Sequence, residues 1–342
     1  MKRITIMLIA LFSCALVISA TGTAAAMPTV SYDTNSKYSR QLTGEQFLQT
    51  VYAEKWLQVS DEADTLEGLC FDREGNLWMV GVQSGKVFKV SADKKIQVVL
   101  TLPGKYPSGL KISKDGRIFV TCLAGGIFSF QPDGTDLRVI VPENAGYVCD
   151  DMVFDSNGGF YFTNFKGSIG NLIGTVEYVS PDFKTITTVV KGLCGPNGIV
   201  MTKSGKNVLF ITEICANRLD RFELEPDGIT VAPYGGTVLY NYQGGYAGPD
   251  SIETDADGNI YQAMWGQGRY VVLDAKNFVP FAQIFIPERD TGHMLFTPHS
   301  AIIPGTDHVL LSANDLRGGQ GTALYIAKVP AKAWDGYYQF QQ

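Results

Sequence analysis

Five residues with oxygen-bearing side chains share one address in the 342-residue chain. Glu67, Ser108, Asp150, Asn197 and Asp250 each stand eight positions before a glycine: Gly75, Gly116, Gly158, Gly205 and Gly258. If the five segments repeat one structural unit, these side chains converge although they lie far apart in sequence. Convergent carboxylates repel unless something positive sits among them. Glu67, Asp150 and Asp250 supply the charge, and Asn197 adds a neutral carbonyl. An all-oxygen set without His or Cys suits a hard cation, calcium first and magnesium second. Asp, Asn and Ser before a strand are individually ordinary turn formers; the shared register is what singles these five out. In a sixth segment the same count back from Gly305 reaches Thr297, with His299 two residues on.

The elements that must position such a set are visible as repeats. Short apolar runs flank each turn glycine, as in Leu69-Cys70-Phe71 before Gly75 and Leu77-Trp78-Met79-Val80 after it. The six turn glycines are spaced 41, 42, 47, 53 and 47 residues apart. A third apolar alternation follows in each unit, such as Val87 to Val90 or Leu324 to Ile326, and most units carry a fourth, such as Ile96 to Leu100. Four strands per unit at a period of roughly 40–50 residues is the pattern of a β-propeller blade. The sequence therefore predicts an all-β chain: six four-stranded antiparallel blades from about residue 66 to 329. A strand near Lys55 to Val59 is expected to close the ring, making 27–342 a single domain. In a propeller the entries to the innermost strands surround one mouth of the central channel, and the five oxygen-bearing residues sit at those entries.

Composition supports a folded, acidic chain. Hydrophobic residues make up 45% and charged residues 18%, and the formal charge is −6, which makes a nucleic-acid backbone a poor partner. Three His and six scattered Cys without a C-x-x-C pair argue against a structural zinc site. Met1-Lys2-Arg3, an apolar run from Ile4 to Ala20 and Ala24-Ala25-Ala26 read as a signal peptide cut after Ala26. No second apolar run is long enough to span a membrane, so a periplasmic or secreted mature protein is expected. Cys122, Cys149, Cys194 and Cys215 fall on the ligand-bearing face, where either buried thiols or one disulfide between neighbouring blades is expected. Asp255-Ala256-Asp257-Gly258 resembles an EF-hand start but lacks the acidic twelfth position, and reads as a hairpin turn. Gly266-Gln267-Gly268 has no following helix and is not a dinucleotide loop.

Loops between second and third strands share the face of the inner-strand entries, because adjacent strands run antiparallel. They carry Phe165, Ile169, Leu172, Ile173 and Trp265; the segments leading into inner strands add Tyr106, Tyr147, Tyr246, Met294 and Phe296. Arg269, Ser108 and His293 are the polar points of this candidate rim. Apolar walls with few polar groups predict a pocket for a hydrophobic small molecule. Substrate contacts are accordingly expected from Ser108, Trp265, Arg269, Phe165, Tyr246 and His293.

The chain resembles the senescence marker protein, gluconolactonase and luciferin-regenerating enzyme family of six-bladed propellers, from about Gln46 to Lys328. The resemblance is densest in Leu66-Glu67-Gly68-Leu69, Asp150-Asp151-Met152-Val153, Asn197-Gly198-Ile199, Gly248-Pro249-Asp250-Ser251 and Arg289-Asp290-Thr291-Gly292-His293. It implies a catalytic calcium held by Glu67, Asp150, Asn197 and Asp250, with Ser251 as a further ligand and Mg2+, Mn2+ or Zn2+ as substitutes. It also implies lactone hydrolysis, with Asp250 as the proton-transfer residue, while the residues themselves leave that role open between Asp250 and Asp151. A second calcium site known in the family is not carried over, because only Tyr147 of its segment is matched here. Two other readings stay open: a lyase or synthase on the same scaffold, and a non-catalytic extracellular binding propeller.

Overall fold

Alternating apolar residues and Gly turns fold into six sheets with almost no helix. A computed structural model describes residues 45–201, 207–244 and 248–334. The expected leader 1–26, Gly205 and Tyr246 lie outside the described residues. Each blade is a meander of neighbouring antiparallel strands. The inner strands are Leu66–Phe71, Pro107–Ile112, Cys149–Phe154, Pro196–Met201, Pro249–Thr254 and Ser300–Ile302. The second strands are Leu77–Gly81, Ile118–Cys122, Phe160–Asn164, Val208–Glu213, Ile260–Met264 and His308–Asn314. The six blades form a six-bladed β-propeller.

Blade six takes its outermost strand from the other end of the chain. Glu54–Ser60 pairs antiparallel with Thr322–Lys328, the third strand of that blade. A feature absent from the sequence reading is a fifth strand on blade five: Gln49–Tyr52 adds parallel to the outer strand Pro280–Phe285. Short 3₁₀ turns at Glu45–Phe47, Glu143–Ala145 and Pro287–Thr291 complete the described structure, and no described helix is long and apolar enough to cross a membrane.

The core lies between blades. Leu69, Leu110, Met152, Ile199 and Ile252, each two residues after a register position, are buried in five separate interblade clusters. Buried Asp residues hold the hairpins that close the inner strands. Asp255 accepts the N–H groups of Asp257 and Asn259 at 2.9 and 3.0 Å and the Tyr261 hydroxyl at 2.8 Å, so the EF-hand-like run is indeed a turn. Asp72 likewise accepts from Asn76 N at 2.8 Å and Trp78 Nε1 at 2.9 Å.

Candidate active site at the inner-strand entries

Glu67, Ser108, Asp150, Asn197 and Asp250 each occupy the second position of an inner strand. The same defect surrounds each of them. Pairing shifts register between Glu67 and Cys70, Pro107 and Leu110, Cys149 and Met152, Pro196 and Ile199, and Pro249 and Ile252. One extra inner-strand residue is a β-bulge, which bends the strand and re-aims side chains. Five repeated bulges thus deliver five side chains to one end of the ring.

Threonines on the second strands clip these entries together, a role the sequence reading missed. Thr163 Oγ1 accepts Asp151 N–H at 3.0 Å and donates to the Asn197 carbonyl of the next blade at 2.7 Å. Thr212 accepts Gly198 N–H at 2.8 Å and donates to the Asp250 carbonyl at 2.7 Å. Thr121 accepts Gly109 N–H at 2.7 Å and donates to the Asp150 carbonyl. The signal was present: a Thr at the end of Ile118-Phe119-Val120-Thr121, Phe160-Tyr161-Phe162-Thr163 and Val208-Leu209-Phe210-Ile211-Thr212. Glycine permits the closeness. A Cβ on Gly198 would lie 2.6 Å from Ser251 Cα and 2.8 Å from the Asp250 carbonyl oxygen, and one on Gly109 would lie 2.8 Å from that of Asp150.

The five side-chain positions are at most 6% exposed, so water does little to support charge there. Burial pushes the Glu67 carboxyl well above the usual range, and the charges of Asp250, Asp150 and Asp151 push it further. Asp250 is raised in the same way by burial and then by Asp150, while a hydrogen bond from the Asn197 side chain opposes the shift. Asp150 is pushed up to about 7, chiefly by burial. Lys111 Nζ lies 3.9 Å from Asp151 Oδ1 and is the nearby cation.

No three His, Cys, Asp or Glu side chains among the described residues close around an ion by themselves. The donor set nevertheless includes an amide: Asn197 Oδ1 is buried and has no hydrogen-bond partner among the described residues. Buried carboxylates with raised proton affinity, beside an orphaned amide oxygen, are what a hard cation would satisfy. The residues present therefore fit the metal that the sequence resemblance implies, with Glu67, Asp150, Asn197 and Asp250 as donors and buried Ser251 beside them.

The other expected residues divide. Ser108 Oγ donates to Asp150 Oδ1, so it orients a carboxylate of the site. Trp265 is partly buried on the same face and packs on Phe296 with ring centroids 4.9 Å apart. Phe165 begins the loop 165–173, where Ile169, Leu172 and Ile173 are exposed by 79%, 52% and 52%. His293 is partly exposed, with Nδ1 2.9 Å from Asp315 Oδ2. Arg269 departs from expectation. It is buried, with Glu45 Oε2 at 2.6 Å, Gln283 Oε1 at 2.9 Å and Gln267 Oε1 at 2.8 Å. Its guanidinium fastens the N-terminal segment to blade five instead of lining the mouth; a partner 224 positions away has no local sequence signal. Met294 is likewise core between blades five and six.

Blade six breaks the pattern. Thr297, at the counted position, donates to the backbone carbonyls of Met264 at 2.8 Å and Arg269 at 3.2 Å. His299 N–H is taken by Ser312 Oγ at 3.1 Å, as the N–H groups of Gly109, Asp151 and Gly198 are taken by Thr121, Thr163 and Thr212, so His299 stands at the level of those three residues. It is buried, neither ring nitrogen has a hydrogen-bond partner among the described residues, and burial holds its imidazole well below the usual range.

Comparison with known proteins agrees with this architecture. The chain is 44% identical over 324 residues to lactonase drp35 of Staphylococcus haemolyticus, covering 92% of this chain and 98% of that protein. Among solved structures, a luciferin-regenerating enzyme superposes with a TM-score of 0.69 at 15% identity, over 82% of this chain and 97% of that one. The calcium-binding protein regucalcin from Agrobacterium tumefaciens gives a TM-score of 0.66 at 17% identity, over 84% and 98%. The family model described as the SMP-30/Gluconolactonase/LRE-like region matches residues 65–298, which contain all five register positions, and the chain belongs to that family.

Proposed function

We propose that this protein is a calcium-dependent hydrolase that opens the ring of a lactone, with a preference for hydrophobic or aromatic lactones. The observation that carries the activity is its 44% identity, over 92% of the chain, to a protein named a lactonase. Calcium is supported by the oxygen-only donor set and the orphaned Asn197 Oδ1, and by a fold neighbour described as calcium-binding. Calcium held by Glu67, Asp150, Asn197, Asp250 and Ser251 would supply Lewis-acid polarisation of the lactone carbonyl.

The chain's own residues account for the proton. Water adds to the carbonyl carbon, the ring C–O bond breaks, and a hydroxy acid leaves. Asp250 takes the proton of the attacking water and returns it to the departing alkoxide, and Asn197 holds its carboxylate by a hydrogen bond. Such acid–base help is worth about 10²–10⁴-fold. The exposed Ile169, Leu172 and Ile173, with Trp265 against Phe296, form an apolar rim for the substrate.

A lactone panel followed by proton release, with and without chelator, tests the reading. Calcium-restored turnover, favouring aromatic or alkyl lactones over gluconolactone, is expected. Full activity after exhaustive chelation excludes the metal role, and no turnover of any lactone excludes the activity. The leader 1–26 fits export to the periplasm or medium, which N-terminal sequencing of the mature protein checks.

A further inference from the structure

Five cysteines are described, all with free thiols, and two of them meet. Cys194 precedes the inner strand of blade four, and Cys215 follows the second strand of the same blade. Pro196 pairs with Glu213, so the same antiparallel register sets Cys194 directly opposite Cys215. Ile214 N–H donates to the Gly195 carbonyl at 3.1 Å, continuing the ladder one step past the strand ends. At the next step the Cys194 N–H is taken by the Glu213 carboxylate, so the two cysteines form a pair without mutual backbone bonds. Facing residues in such a pair have Cα atoms about 4.5 Å apart and side chains on one face. Disulfides span about 4.4–6.8 Å between Cα atoms.

The thiols are in hydrogen-bonding contact, and burial followed by the proximity of Cys215 pushes the Cys194 thiol up to about 11. The residue between them makes the room. A Cβ on Gly195 would lie 2.7 Å from Cys215 Sγ, and Gly195 has φ of +58°. Cys215 is exposed and Cys194 buried, an outer thiol backed by an inner one. Cys122 and Cys149, the other cysteines of this face, are both buried.

We propose that Cys194 and Cys215 are a thiol–disulfide exchange site whose co-reactant is a low-molecular-weight disulfide. The exposed Cys215 thiolate attacks one sulfur of the co-reactant, forming a mixed disulfide and releasing one thiol. The Cys194 thiolate then attacks the Cys215 sulfur, closing the protein disulfide and releasing a second thiol. Two protein thiols are oxidised and one small disulfide is reduced to two thiols, so atoms and electrons balance. The closed bond joins the entry of the strand that carries Asn197 to the end of its neighbour, and it withdraws Cys215 Sγ from its 3.9 Å contact with the Gly167 carbonyl in the apolar loop.

The test uses the full chain and oxidised glutathione as the probe. After incubation and acid quench, the thiol titre of the denatured protein should fall by two, with a tryptic link between Cys194 and Cys215. Cys194→Ser should instead retain one glutathionyl group at Cys215, Cys215→Ser should lose no thiols, and Cys122→Ser should still lose two. Closure should quicken about tenfold per pH unit between 7 and 9, following the Cys194 thiolate. A wild-type titre that stays unchanged, a mixed disulfide on Cys215 that never closes, or a link between any other pair would overturn the proposal. Thiol counts are read without any substrate, so these outcomes stand apart from the lactonase reading.

Discussion

Asp150 sits where a carboxylate is hard to keep ionised. Burial pushes its carboxyl up to about 7, the Ser108 hydrogen bond pulls it back, and the Asp151 charge raises it again. In the unfolded chain the group titrates near its ordinary value of about 3.9. The folded state therefore holds the proton more tightly than the unfolded one. Stability from this group is complete below about pH 4 and is lost as pH rises through 7. Glu67 and Asp250 shift in the same direction, so their contributions add with the same sign. Metal-free protein should melt at a higher temperature at pH 5 than at pH 8, by about 2–4 °C for each kcal/mol of difference. Saturating calcium should flatten that profile. A calorimetric series in which the metal-free protein shows no fall between these pH values would contradict the account. At the same scale, Glu67→Gln and Asn197→Ala should weaken calcium binding in a titration, whereas Asp250→Asn should lower turnover about 10²-fold or more while leaving the melting temperature of the metal-loaded protein close to wild type.

Glycine and threonine set the spacing between blades, and substitutions at them separate packing from chemistry. Gly198→Ala places a methyl group against Ser251 Cα and the Asp250 carbonyl, both backbone atoms that cannot rotate away. Overpacking of this kind costs about 1–3 kcal/mol, and here it displaces the blade that carries Asp250. Gly75→Ala meets nothing within 4 Å and is penalised only by its φ of +81°, so it should change stability and leave calcium affinity intact. Thr163→Val leaves Asp151 N–H and the Asn197 carbonyl without their shared partner, at a cost of about 1–3 kcal/mol in chemical denaturation. Equal calcium affinities for Gly198→Ala and Gly75→Ala would remove the close approach from the explanation of the site. The register residues were legible because bulge and turn have the same length in blades one, two, three and five, where Phe71 pairs with Leu77, Ile112 with Ile118, Phe154 with Phe160 and Thr254 with Ile260; in blade four Met201 pairs with Leu209, and the offset to Gly205 is visible in the sequence alone. The clips were harder to see, since a Thr on a strand reads equally well as a β-former. Arg269 and Glu45 were illegible: nothing near Arg269 in sequence says which acid will return to it. His299 stood beside the counted position, but only the packing shows that its buried imidazole has no hydrogen-bond partner among the described residues.

At the scale of the whole molecule, repeat length made the ring predictable, because a period of 40–50 residues with alternating apolar runs has few other solutions. The parallel strand Gln49–Tyr52 was not, as it belongs to no repeat and is defined only by the edge it covers. Blade six depends on chain from the opposite end. Trp56, Leu57 and Val59 pack against the cluster formed by Leu66, Leu69, Phe71, Ala301, Leu310 and Leu324. Full burial of one such side chain is worth about 1.5–3 kcal/mol, and these three are partly buried, so each contributes about half that. A chain beginning at Leu66 should therefore melt roughly 10 °C lower than one beginning at Met27. An unchanged melting curve for the shortened chain would mean that the ring holds without this strand.

That shared blade fixes an order of events during synthesis. Glu54–Ser60 leaves the ribosome long before its partner Thr322–Lys328 is made. Until then the earlier strand has no mate, and its unmatched N–H and C=O groups offer an edge to any extended segment nearby. Five blades can form as they emerge, but the circle cannot shut until Thr322–Lys328 has been made. A nascent chain stalled shortly before Thr322 would carry five formed blades with both free borders of the ring exposed, and it is at this stage that a chaperone would have most to shield.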